Sequence, residues 1–203
     1  MGLKLITPPA SEPISLAEAK THLRVIDSDQ DSLISALIKA ARMNCENWTG
    51  RAFVDQTWDL YFDEFPTGDH LEIKIPKPPL IQIVAVAYNR ASDGLETQVD
   101  PSDYYVDNIS EPGWIIPAGD SSSSWPTPID AINSVRIRFR AGYLNADSPA
   151  DTFVPDDIKA AIKLMLGSLY EHRESQVVGT ISSQLPFGVE NLLRPYRVLL
   201  GMA

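Results

Sequence analysis

The sequence predicts an α+β protein: a helical core of about four helices with an inserted small, mostly antiparallel β unit. Three observations lead there. In residues 154–174, Ile158, Ala161, Ile162, Met165, Leu166 and Leu169 recur at helical spacing. Ala160 and Leu164 widen that stripe until only Lys159, Lys163, Gly167 and Glu171 stay polar or small, so this helix should be buried on more than one side. Between residues 55 and 142 the apolar period falls to two, the mark of strands. Neither helical flank can bury its stripe alone, so the two should share one core. The expected organisation is an N-terminal arm (1–13), a discontinuous helical core (14–54 and 143–203) and the inserted β unit (55–142).

In chain order, residues 1–13 carry three prolines and no periodicity, which reads as an extended arm. Ser15-Leu16-Ala17-Glu18 is a capping-box pattern that opens a short helix to about Arg24, with Leu16, Ala19 and Leu23 inward. The polar run 27–30 is a turn supplying the next cap. A long helix from about Gln30 to Trp48 follows, with Leu33, Ile34, Leu37, Ile38, Ala41, Cys45 and Trp48 on its apolar side and Gly50 as C-cap. Trp58, Leu60 and Phe62 alternate with polar residues, a half-buried strand, and Leu71, Ile73 and Ile75 do the same. Residues 80–88 are apolar on both faces and read as a central strand. Ser92-Asp93-Gly94 turns the chain back. Weaker strand signals cover 104–107 and 114–116, and 121–128 is a Ser/Pro loop. Val135, Ile137 and Phe139 alternate with Arg136, Arg138 and Arg140.

Pro155 suits the first turn of the central helix, Asp156 and Asp157 its positive end, and His172 and Arg173 its negative end. Residues 175–188 have no period, and a structureless stretch of that length is more often functional or disordered than idle. A last amphipathic helix, 189–200, is kinked or split by Pro195.

Composition excludes several functions. No run approaches the roughly 18 apolar residues of a membrane helix. The first residues lack a secretory signal's order, so a soluble, cytoplasmic chain is expected. One cysteine, Cys45, permits neither an internal disulfide nor a cysteine zinc site, and its place on an apolar helix side suggests a structural thiol. The formal net charge of −10 disfavours tight DNA binding but suits a wall that DNA must pass without sticking.

Catalytic motifs are missing. There is no phosphate-cradling glycine loop and no nucleophile elbow. His22, His70 and His172 lie in separate elements, so neither a metal nor another cofactor is expected. The pairs Asp63-Glu64, Asp59 with Asp63, and Asp156-Asp157 are better explained as a solvated strand face and a helix N-terminus than as the two carboxyls of a glycosidase. The stripe Arg136, Arg138 and Arg140 has two readings. It contacts phosphate or an acidic neighbouring subunit, or it is a solvated face paired with acids on the next strand, such as Glu72. Trp58, Trp114 and Trp125 could be stacking platforms if the β unit were a ligand- or carbohydrate-binding module.

The order of segments resembles the head–tail connector, or adaptor, proteins of long-tailed bacteriophages. The match runs through ISLAEAKTHLRV (14–25), DSLISALIKAARMNCENWTGRAF (31–53), QTWDLYFDEFP (56–66), PKPPL (76–80), VRIRFRAGY (135–143), VPDDIKAAIKLMLGSLYEHRE (154–174) and LPFGVENLLRPYR (185–197). The resemblance implies a non-enzymatic virion protein, assembled in the host cytoplasm and resident in the virion neck. It implies a homo-oligomeric ring, commonly of twelve, between the portal protein and the tail-completion (stopper) proteins, retaining and passing DNA without reading its sequence. By the same analogy the C-terminal segment docks on the portal, with Leu192, Leu193 and Tyr196 as apolar anchors and Arg194 and Arg197 as charge partners. The alternatives are a tail-proximal stopper, or the ligand-binding module.

Overall fold

The computed structural model describes residues 1–119, 123–144, 153–172 and 186–198. Four α-helices and eight strands follow in the order β1 (Gly2–Thr7), α1 (Leu16–Leu23), α2 (Asp31–Thr49), β2 (Gln56–Phe62), β3 (Ile73–Lys74), β4 (Leu80–Asn89), β5 (Glu96–Gln98), β6 (Tyr104–Asp107), β7 (Trp114–Pro117), β8 (Val135–Ala141), α3 (Asp156–Glu171) and α4 (Phe187–Leu193). The fold is α+β, as predicted. One sheet has the order β1-β2-β8-β4-β5 and a smaller one the order β3-β7-β6.

Local chemistry accounts for the helix ends. The Ser15 side chain accepts the Glu18 amide while Glu18 reaches back to the Ser15 amide, completing the capping box. Gly50 closes α2 at φ 76°, a left-handed geometry that costs a glycine little. Pro195 divides the last segment: α4 stops at Leu193 and a single 3₁₀ turn, Arg194–Tyr196, follows. Leu199, Leu200, Arg173 and most of 175–188 lie outside the described residues.

Helix α3 packs against α1, α2 and α4 at once. Ile158, Ala161, Ile162 and Leu166 are fully buried there with Ala19, Ile34, Ile38, Cys45, Phe53, Val189 and Leu193. The helix is less enclosed than its sequence suggests, because Leu164 is 44% exposed. Three neighbours cover most of a helix's circumference and still leave one strip open.

A second cluster fills the space between the two sheets. Leu60, Val86, Val135, Ile137 and Phe139 of the larger sheet meet Ile73, Tyr104 and Ile115 of the smaller one, with Phe65 and Trp125 between them. The two cores meet where the chain crosses itself. A Cβ on Gly142 would stand 2.4 Å from the Val54 carbonyl carbon, and its φ of +139° is one that side chains rarely adopt. Only glycine lets β8 pass this close to the strand-entry segment.

The sheet departs from expectation at three places. Residues 2–7 of the arm are hydrogen-bonded to β2 as an edge strand, with Leu3 opposite Leu60 and Leu5 opposite Trp58. The middle strand is β8, and β4 is one place further out with Val84 48% exposed. β4 still has a neighbour on each side, β8 and β5, and its ladder with β8 shifts register at Leu80/Gln82 and Ile83/Ala85. Around Ile73, only Ile73–Lys74 forms a ladder, with Ile115 and Trp114.

Truncating Ile162 to alanine removes a fully buried side chain from the meeting point of the helices and should cost about 2–5 kcal/mol in urea unfolding. Leu164→Ala, on the open strip, should stay within about 0.5 kcal/mol of the parent.

Candidate assembly surfaces

The arginine stripe is a ladder of ion pairs on the outer face of the larger sheet. β8 lies between β2 and β4, in register Arg138 with Asp59 and Arg136 with Ala87. Arg138 holds Asp59 with two hydrogen bonds, of 2.7 and 2.8 Å. Arg140 holds Asp55 in the same forked manner. Arg136 reaches across the small Ala87 to Glu96, at 3.1 and 2.8 Å, and lies 3.9 Å from Asp59. The partners are therefore Asp55, Asp59 and Glu96. Glu72, the acid expected from the sequence, precedes a strand of the other sheet and lies 3.7 Å from His70. The structure leaves this stripe no unneutralised positive charge for a phosphate.

Asp59 is 1% exposed. Burial alone would raise its pKa, but the hydrogen bonds from Arg138 and the charges of Arg138 and Arg136 outweigh it, and the carboxyl stays below its ordinary value. Cys45 follows the opposite rule: burial, reinforced by the nearby Glu46, pushes its thiol up to about 12.

Two buried charge clusters join the lobes, and neither was anticipated from the sequence. Glu46 accepts Arg42 at 2.5 Å, the Phe53 amide at 2.8 Å and the Gln56 side chain at 2.7 Å, while Arg42 also holds Glu12 at 2.7 Å. Arg51 donates to the Tyr196 carbonyl and to Glu111, both at 2.5 Å, and to the Tyr143 hydroxyl at 3.5 Å. A signal for the first was present: Arg42 and Glu46 sit at i, i+4 inside the stripe of Ile34, Ile38, Ala41, Cys45 and Thr49.

The C-terminal residues predicted as portal contacts divide into two sets. Leu193 is fully buried in the chain's own helical core, and Leu192 and Tyr196 pack against it half-buried. Leu193 therefore cannot serve as an anchor for another protein, because its apolar surface is already spent inside the fold. Arg194 is exposed, and the Arg197 guanidinium lies 5.1 Å over the Trp48 ring. Phe187, at the opposite end of α4, is 79% exposed.

Acidic charge is concentrated in one segment. Residues 91–135 carry eight Asp or Glu and no Lys, Arg or His, against a net charge of −10 for the whole chain. A plain count along the sequence would have revealed this. A cleft of about 730 Å³ opens in this segment between Asp100, Asp103, Tyr88 and Trp125. A serine–carboxylate contact in its lining, Ser102 donating to Asp100 at 2.7 Å, caps the 3₁₀ turn Pro101–Asp103. Trp125 is only 7% exposed, stacked on Phe65 at 5.0 Å and bonded to the Leu71 carbonyl, so it is a core residue rather than a platform. Trp58 lies beneath the Lys77 ammonium, 5.7 Å from the ring centroid. Among the described residues no His/Cys/Asp/Glu group could hold a metal ion, and no helix is long and apolar enough to cross a membrane.

Residues 13–112 match the family of phage gp6-like head–tail connector proteins. A chain from the neck of an empty gene transfer agent (GTA) particle, computed with C6 symmetry, is 25% identical, with a TM-score of 0.75 and full coverage of both chains. A chain from the native GTA neck, computed with C12 symmetry, is 24% identical, again with full coverage of both and a TM-score of 0.75. A third, from the native GTA virion, is 23% identical over 98% of this chain and 96% of that one, with the same TM-score. No curated protein matches the chain. The chain is a head–tail connector protein, as its motif order implied, and not an enzyme.

Replacing Asp59 by Asn should lower stability at neutral pH by about 1–3 kcal/mol, by leaving Arg138 without its carboxylate. Because the folded Asp59 pKa is depressed, its contribution is present above the unfolded value, about 4, and is lost as pH falls through the folded one. Urea titrations across that range should show a flatter acid limb in Asp59→Asn than in the parent. The Cys45 thiol should resist a disulfide reagent at about pH 8 in the folded protein and react at once in denaturant.

Proposed function

We propose that this connector is a neck adaptor, forming a ring between the portal and the tail-completion proteins, twelve copies in the finished particle, and that DNA is held by and passes through that ring. The observation that carries the reading is the full-length likeness, at a TM-score of 0.75, to a chain of a particle neck. A neck computed with C12 symmetry supports the copy number. The net charge of −10 suits a channel that must not bind the DNA it contains.

On this reading the portal contact lies at the C-terminal segment, through Arg194, Arg197 and Phe187, with Leu192 and Tyr196 stiffening it from below. The face of Arg136, Arg138 and Arg140 is flat and internally neutralised, fit to abut a neighbouring subunit without holding DNA.

Electron microscopy of the purified protein mixed with its portal tests this. The expected image is a ring stacked coaxially on the portal. The double variant Arg194→Glu/Arg197→Glu should stay folded, its unfolding midpoint lowered only by the loss of the Arg197–Trp48 contact, and lose portal binding by about tenfold or more. A complete absence of rings on the portal would overturn the adaptor reading. Full binding by the double variant would overturn the assignment of the contact.

A further inference from the structure

We infer that neighbouring copies join by strand addition, the free edge of β1 in one copy pairing with the free edge of β6 in the next. The inference rests on the ring reading above and names the surfaces that would close it.

Both strands end a sheet. Among the described residues β1 is bonded only to β2, and β6 only to β7. Beyond those ladders the backbones of residues 2–5 and 104–107 make no further hydrogen bond with the described residues. Each edge therefore presents a row of unpaired amides and carbonyls. Soluble proteins usually blunt such edges with prolines, bulges or several charges. Here β1 has one charge, Lys4, and its irregularity lies beyond Leu5. Both edges also expose apolar side chains: Leu3 37% and Leu5 41% on β1, Tyr105 61% and Val106 42% on β6. Added strands gain main-chain hydrogen bonds and cover such side chains together.

Charge selects which edge meets which. Residues 1–11 carry Lys4 and no acid, whereas β6 follows Asp100 and Asp103 and ends in Asp107, in the segment that has no base. Pairing β1 with β1 would bring lysines together, and pairing β6 with β6 would bring aspartates together. Pairing β1 with β6 brings opposite charges together. The contact is then heterologous, the kind that generates a ring when its rotation closes.

Disulfide trapping tests it in the full chain, since the buried Cys45 does not compete. Lys4→Cys is combined in turn with Asp103→Cys and Tyr105→Cys, and rings formed on the portal are oxidised. The pairing predicts a ladder of covalent oligomers from at least one combination and none from any of the three single variants. Lys4→Glu should raise the concentration needed for assembly about tenfold, and adding Asp103→Lys should restore it. Rings that form normally in Lys4→Glu and give no ladder would overturn the pairing and leave the ring reading intact. A parent chain that forms no ring even on its portal would overturn both.

Discussion

The carboxylate of Glu46 is the constraint on which the rest of the fold depends. It sits in the last turns of α2, nearly closed to solvent, and takes donors from three places: Arg42 on its own helix, the Phe53 amide just beyond it, and Gln56 at the start of β2. Burying a charge is costly unless every lone pair finds a donor, and here the donors come from both sides of the helix–strand corner. The corner thereby acquires one geometry. Arg42 extends the cluster to Glu12, which ties down the segment leading from β1. Arg51 does the same on the other side, binding the C-terminal turn at Tyr196 and the β unit at Glu111. Apolar packing would hold each core together, but it is non-directional and would not by itself fix the angle between them.

A connector has to be stiff, because its work is mechanical continuity between two larger bodies. The structure supplies stiffness through satisfied polar groups. The arginine ladder crosses β2, β8 and β5 with forked contacts, which hold both partners in register more firmly than a single lysine contact would. It also removes positive charge from a broad face. The surplus negative charge is gathered in residues 91–135, within the β unit. Such a division lets one end of the molecule attract basic partners while the whole remains repellent to nucleic acid.

Most of the architecture was legible because it rests on periodicity. The helical stripes of α2 and α3, the alternation of β8 and the caps at Ser15 and Gly50 are local rules, each readable in a few residues. What escaped depends on which strands become neighbours. Glu72 was as reasonable a partner for the arginines as Asp55 or Asp59 until the strand order put it in the other sheet. Residues 2–7 carry too short a pattern to announce a strand, and β2 supplies the rest. The contact residues were legible only in part. Leu193 and Arg194 are adjacent in sequence, and only the packing of α4 on α3 decides that the first is core and the second surface. Arg42 and Glu46 were overlooked because charge in a helix is ordinarily read as its wet face, although their spacing set them among the buried positions.

The account stands on the chain being a fixed part of the particle at the junction of head and tail. Immunogold labelling addresses this directly, with an antibody to the exposed acidic segment and intact or detergent-opened particles. The account predicts gold at the head–tail junction, and tailless heads when the chain is withheld during assembly. Label on the tail shaft or capsid shell, or normal tailed particles made without the chain, would contradict it.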